Sequence, residues 1–162
     1  MTIREGLPEE LDRVRASYAE WGYTGGVSRA DVVLVAESGG QLLGLVRRTR
    51  EFETVMLRGM HVAPDFQRRS VGTRLLEAFV TALNGAECYC VPYAHLVDFY
   101  GRQGFELESI KNAPRFLTER LAQYRAKGIE AVLMRREPSS AEAVAILKVP
   151  DVVVPFRLGD PQ

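Results

Sequence analysis

Seven consecutive residues, Gln67-Arg68-Arg69-Ser70-Val71-Gly72-Thr73, place two positive charges, a small hydroxyl and a glycine where the chain changes period. Before Pro64 the run "ETVMLRGMHV" is strand-like. After Ser70, Leu75, Leu76, Phe79, Val80 and Leu83 recur on one helical stripe, which Asn84-Gly85 ends. A helix N-terminus exposes unsatisfied N–H groups and about half a positive charge, so it can receive an anion without any special side chain. Ser70 and Gly72 keep such a turn small, and Arg68 and Arg69 add charge beside it. The same residues also read as a plain capped helix, with Ser70 as N-cap and solvated arginines. Local pattern alone leaves both readings open. It excludes two others, since neither the G-x-x-x-x-G-K-[ST] loop of nucleotide triphosphatases nor a G-x-G-x-x-G dinucleotide turn occurs.

Other chemistry-bearing side chains are few. Cys88 and Cys90 form a Cys-x-Cys in a strand-like run, poor geometry for a disulfide within the chain. Together with His61 and His95 they lack the usual zinc spacings, so we expect buried, reduced thiols and no metal. The 162 residues carry 21 basic and 21 acidic side chains, which gives no reason to expect a nucleic-acid or membrane partner. No apolar run reaches the roughly 18 residues of a membrane span, and the N-terminal stretch has no signal-peptide pattern, so a cytoplasmic protein is expected.

The elements that must position these groups alternate along the chain. "TIREG" reads as a strand. "LPEELDRVRASYAEW" reads as a helix with Leu11, Val14, Tyr18 and Trp21 on one face. "DVVLVAE" and "QLLGLVRRTR" read as strands joined at "SGG". Further on come a strand "ECYCVPY", a helix "AHLVDFYGRQ", a strand "FELES", a helix through "PRFLTERLAQYRAKG" and a strand "IEAVLMRRE". The whole is an α/β layer pattern. Pro138-Ser139-Ser140 breaks the composition. We therefore expect one domain over residues 1–137 and an extension over 138–162, too apolar to float freely and packed on the body or on a partner chain as a homodimer.

The run "MHVAPDFQRRSVGTRLLEAF" resembles the acetyl-CoA-binding motif of the GNAT N-acetyltransferase superfamily, V-x-P-x-x-[QR]-x-x-G-x-[GA]. Val62, Pro64, Gln67 and Gly72 match at its spacing, and Ser70 stands at the first glycine. "VDFYGRQGFE" is similar to the family's [FL]-Y-x-x-x-G-F signature through Phe99, Tyr100, Gly104 and Phe105, with Tyr93 where an asparagine is common. "PRFLTERLAQYRAKGIEAVLMRR" resembles the closing helix and strand of bacterial members. In order, these matches span roughly residues 2 to 137.

The resemblance implies a mixed, mostly antiparallel sheet of six to seven strands flanked by helices, its fourth and fifth strands splayed apart. It implies acetyl-CoA as cosubstrate, its pantetheine paired with the backbone of Met60, His61 and Val62. The pyrophosphate would lie on the amides of Gln67, Arg68, Arg69, Ser70, Val71, Gly72 and Thr73. It implies that Tyr100 protonates the departing thiolate, and Gly59 is placed to permit a bulge near the carbonyl. The glutamate that members often carry on the strand before the turn is missing from "VMLRGMHV". His61 is the nearest candidate base, with Glu53 a weaker one, and Cys90 as a covalent acetyl carrier is disfavoured by burial. The acceptor, read as a small-molecule amine, would be gripped by "WGYTGGVS", "RRTREFET" and "PRFLTERLAQYR", with Trp21, Tyr23, Tyr93 and Tyr124 as wall candidates. An acyl-CoA sensor without chemistry, and an unrelated phosphate-binding module, are the competing classes.

Overall fold

The structure, a computed structural model, describes residues 1–139. The expectations for the 138–162 extension fall almost wholly outside the described residues.

Alternation in two long strands organises the fold. In β2 (Val32–Ser38) and β3 (Gln41–Glu51), Val33, Val35 and Leu45 point to one face, while Leu34, Ala36 and Val46 point to the other. Both sets are buried, so each strand reads as a nearly continuous apolar run and needs cover on both sides. On one side α2 (Val71–Leu83) supplies Leu75, Leu76, Phe79 and Leu83, joined by Tyr100 of α3 (Val97–Gly101). On the other, α1 (Leu11–Glu20) brings Val14 and Tyr18. α4 (Arg115–Ala126) packs Leu117 and Leu121 against Met56, Tyr89 and Leu133.

The sheet has seven strands in the order β1-β2-β3-β4-β5-β7-β6, adding β1 (Thr2–Glu5), β4 (Thr54–Val62), β5 (Cys88–Cys90), β6 (Glu106–Leu107) and β7 (Met134–Arg136). Every neighbouring pair is antiparallel except β4 and β5. That parallel pair meets at one position, Met56 opposite Tyr89, and then parts. The mixed, mostly antiparallel sheet expected from the sequence is therefore present, with its opening between the fourth and fifth strands.

β4 carries a bulge. Its register on β3 runs Gly44↔Val62 and Leu45↔His61, then resumes one residue out of step at Arg47↔Arg58. The extra residue falls at Gly59, whose φ of +64° is in the left-handed region. A methyl group there would meet the Tyr18 hydroxyl at 2.6 Å and Arg47 Nε at 3.0 Å. The Tyr18 hydroxyl instead donates to the Gly59 carbonyl at 2.7 Å. One inserted residue reverses the facing of all that follow, so Met60 and Val62 face α2 while His61 joins Tyr18 and Tyr23.

The C-terminal third differs from the sequence reading in extent. "AHLVDFYGRQ" forms a single 3-10 turn, Ala94–Leu96, before the five-residue α3. "FELES" and "IEAVLMRRE" contribute only two and three residues to the ladder, β6 as an edge strand on β7 and β7 between β5 and β6. Ala131 makes an isolated bridge to Tyr93.

Gly59→Ala should cost about 2 kcal/mol or more, from left-handed strain and the displaced tyrosine. Gly26→Ala, whose methyl would meet open space, serves as control. Denaturant unfolding of both variants checks this, and equal midpoints would show that the bulge carries no constraint.

Candidate active site

Where β4 and β5 part, the sheet leaves a cavity of about 360 Å³. Its walls come from both strands (Met56 to His61 and Cys90 to Tyr93), from Leu96 and Tyr100, from the Gly22–Gly25 loop, and from Arg120 and Tyr124 of α4. The divergence of two strands, rather than a gap between loops, creates this space. It also leaves the β5 side of β4 without a strand partner beyond Met56.

Of the residues singled out from sequence for chemistry, Gly59, Met60, His61, Cys90 and Tyr100 line this cavity. Tyr100 is 4% exposed, edge-on to Phe99 and Phe105. Burial pushes its phenol well above the usual range, so the ring stays protonated at neutral pH. His61 is half-buried against Tyr23, with ring centroids 5.0 Å apart. Desolvation lowers its pKa, which keeps the imidazole neutral and able to accept a proton. Tyr23, Tyr93 and Tyr124 are wall residues as expected. Trp21 is not. It packs partly on the α1 core and lines a separate groove with Arg13 and Pro64. Glu53 is also elsewhere, at the exposed tip of the β3–β4 hairpin with φ +63° and an ion pair to Arg50. Cys88 and Cys90 are free, buried thiols whose pKa values rise through desolvation, which suits neither nucleophile nor ligand. Among the described residues no cluster could hold a metal ion.

The cationic turn adjoins the end of β4 without lining the cavity. Gln67 Nε2 donates to the Val62 carbonyl at 3.3 Å, tying turn to strand. Ser70 occupies the N-cap position of α2, but in a left-handed conformation (φ +64°) and with no side-chain capping bond. The reading of Ser70 as an ordinary N-cap therefore fails. Its carbonyl accepts from Arg74 N–H, leaving the amides of Val71, Gly72 and Thr73 at the exposed end. A left-handed residue followed by helical ones turns successive N–H groups toward a common point, an anion-binding concavity. A Cβ on Gly72 would sit 3.6 Å from Val62 and Phe99, an ordinary contact, so the protein's own packing does not require glycine there. Arg68 is exposed, and the Arg69 guanidinium lies 5.8 Å from the Phe66 ring.

Two arginine clusters carry much of the site's geometry, and neither was singled out residue by residue from sequence. Arg47, 1% exposed, donates to Asp31 Oδ2 at 2.7 Å and to the Tyr23 hydroxyl at 2.6 Å, between the Tyr18 and Tyr23 rings. It fixes the wall that carries Tyr23 and props the bulge from beneath. Glu51 receives two bonds from Arg120, at 2.7 and 3.1 Å, and lies 3.5 Å from Arg58. Against the cost of burial, these arginines hold Glu51 below the usual carboxylate range, so it remains charged and is a poor base. The "RRTRE" run was the available signal: a strand buried on both faces must turn at least one of its arginines inward.

The seven-stranded mixed sheet thus opens between its fourth and fifth strands, with a bulge on the β4 lip and an uncapped helix end just beyond that strand. Residues 29–107, just under half of the chain, match the family model for the acetyltransferase (GNAT) domain. Solved structures share the fold at low identity. Rv2747 from Mycobacterium tuberculosis, in complex with CoA, is 11% identical with a TM-score of 0.64, covering 86% of this chain and all of that one. The ribosomal-protein-S18-alanine N-acetyltransferase from Escherichia coli is 18% identical with a TM-score of 0.63, over 86% of this chain and 95% of that one. N-acetylglutamate synthase from Neisseria gonorrhoeae, complexed with coenzyme A and N-acetyl-glutamate, is 19% identical with a TM-score of 0.62. That match covers 86% of this chain but spans only 35% of the synthase. No curated protein matches by sequence.

Arg47→Met should destabilise the fold by about 3 kcal/mol, because Asp31 is left buried without its cation. Adding Asp31→Asn should restore a substantial part. A thermodynamic cycle of the two single variants and the double variant measures this, and strict additivity would dissociate the pair.

Proposed function

We propose that residues 1–137 form an acetyl-CoA-dependent N-acetyltransferase that moves an acetyl group directly to a primary amine of a small molecule. The observation that carries the reading is the convergence of the β4 bulge, the protonated Tyr100 and the open lip of β4 on one cavity. The residues suit a thioester cosubstrate with a pyrophosphate. Met60 to Val62 present strand backbone to an extended chain, and the Gln67–Thr73 turn presents converging amides flanked by Arg68 and Arg69. Acetyl-CoA would supply the activated acetyl group.

The chain's own groups have three tasks. A backbone N–H at the bulge stabilises negative charge growing on the thioester oxygen. Tyr100 donates its hydroxyl proton to sulfur as the carbon–sulfur bond breaks and the amine nitrogen bonds to the carbonyl carbon. Desolvation raises the phenol's pKa, which keeps the proton on its oxygen until the carbon–sulfur bond breaks. Neutral His61 is positioned to take the proton the amine loses, directly or through water. Tyr23, Tyr93, Tyr124 and Arg120 wall the acceptor side.

Thiol release from acetyl-CoA with a panel of primary amines tests the activity. CoA binding without turnover would favour a sensor, and no CoA binding would leave only a phosphate-binding module. Two variants test the residue roles. Gly72→Asp puts a carboxylate where the pyrophosphate should lie, and affinity for acetyl-CoA should fall at least tenfold, about 1.4 kcal/mol, while Gly72→Ala retains it. Tyr100→Phe should lower kcat by about 10²-fold and leave KM for acetyl-CoA within a fewfold. An unchanged kcat with chemistry rate-limiting would reduce Tyr100 to a packing residue.

A further inference from the structure

Among the described residues, the charged side chains in the cavity wall are Arg58 and Arg120, and no aspartate or glutamate lines it. Glu51 is the carboxylate next to them, and Arg120 already takes both of its oxygens in a two-pronged pair. Arg58 stands differently. Its Nη1 is 3.5 Å from Glu51 Oε1, an electrostatic contact without a hydrogen bond, and its side chain is 29% exposed. Arg58 therefore lines the cavity with a guanidinium fork that, among the described residues, is held by one ion-pair contact and no two-pronged partner. A purely structural tie between the β3–β4 hairpin and α4 would need Arg120 and Glu51 alone. Two cations to one anion leave this end of the cavity with a net positive charge. The neighbouring Arg47–Asp31 pair is already balanced, and the remaining titratable wall residues are tyrosines, neutral His61 and the buried Cys90.

Arg58 also lies in the right place. It is directly across from Arg47, on the β4 face that His61 regains beyond the bulge. Between it and the acyl-polarising amide lie one or two residues of strand, about 3–7 Å of backbone. A polyamine or other purely cationic acceptor would meet two arginines whose nearest carboxylate, Glu51, is already paired with them. An amine that carries its own carboxylate would place that group on the Arg58 fork and its nitrogen at the bulge.

We propose that the acceptor is a free amino acid, its carboxylate held by Arg58 with Arg120 in support. This rests on the acetyl-transfer reading and specifies its substrate class.

The test compares L-amino acids with their own α-amides as acceptors, by thiol release, with kcat/KM referred to the neutral amine. In the wild type the acid should be preferred over its amide by at least tenfold for the best side chain. In Arg58→Gln that ratio should fall to within threefold, and Arg58→Lys should recover part of it. Calorimetry of the CoA-saturated wild type with an N-acetyl amino acid and with its amide gives a second reading that needs no variant, and the acid should bind more tightly. Preference for amides or for peptide N-termini overturns the proposal while acetyl transfer stands. So does an unchanged ratio in a folded Arg58→Gln that still binds CoA. Failure of every amine, with no CoA bound, removes both.

Discussion

With one residue too many between Leu57 and His61, β4 cannot stay in step with β3 along its whole length. The mismatch is taken up at Gly59, the one position in that strand with φ in the left-handed region. Its consequences spread outward. The facing of β4 reverses, so Met60 and Val62 pack toward α2 while His61 swings to the side of Tyr18 and Tyr23. On its other edge β4 keeps only one pairing with β5, and the cavity fills the divergence. A regular ladder would have covered these backbone groups with another strand.

Holding that irregularity needs buried polar chemistry, and arginine supplies it twice. Arg47 spans from the underside of Gly59 to Asp31 and Tyr23, linking the bulge to the loop that walls the cavity. Its charge is matched by a carboxylate at 2.7 Å, the condition under which a fully buried guanidinium is tolerated. The Glu51–Arg120 pair fastens α4 to the end of β3 in a similar way, but at the rim, where some exposure remains. Burial acts oppositely on the neutral groups. It raises Tyr100 and lowers His61, so that a proton donor and a proton acceptor share one cavity at neutral pH.

The parts legible in the sequence are those written in short-range pattern. Two-residue alternation marked β2 and β3, the Leu75–Phe79–Leu83 stripe marked α2, and the spacing from Val62 to Gly72 marked the turn between them. Tyr100 was legible only through resemblance, since Phe99-Tyr100 alone reads as core. The rest depends on contacts far apart in the chain. Nothing within "QLLGLVRRTR" says that Arg47 will meet Tyr23 and Asp31, because those partners come from a loop after α1. The motif offered Ser70 as a cap, whereas its left-handed backbone removes the capping bond. Trp21 had the same aromatic character as Tyr23 and packs on the same core, yet at the end of α1 it lines a separate groove. The short elements after β5 were overextended because apolar pattern does not record how far a ladder runs.

If the parted strands and the uncapped α2 end form one continuous site for CoA, the ligand must perturb both. Amide chemical-shift titration of the isotope-labelled protein with CoA tests it most directly. Saturable shifts are expected at Met60 to Val62 and at Val71 to Thr73 with one common affinity, while amides of the exposed β3–β4 hairpin tip stay still. Shifts confined to other surfaces, or different affinities at the strand and the turn, would contradict it.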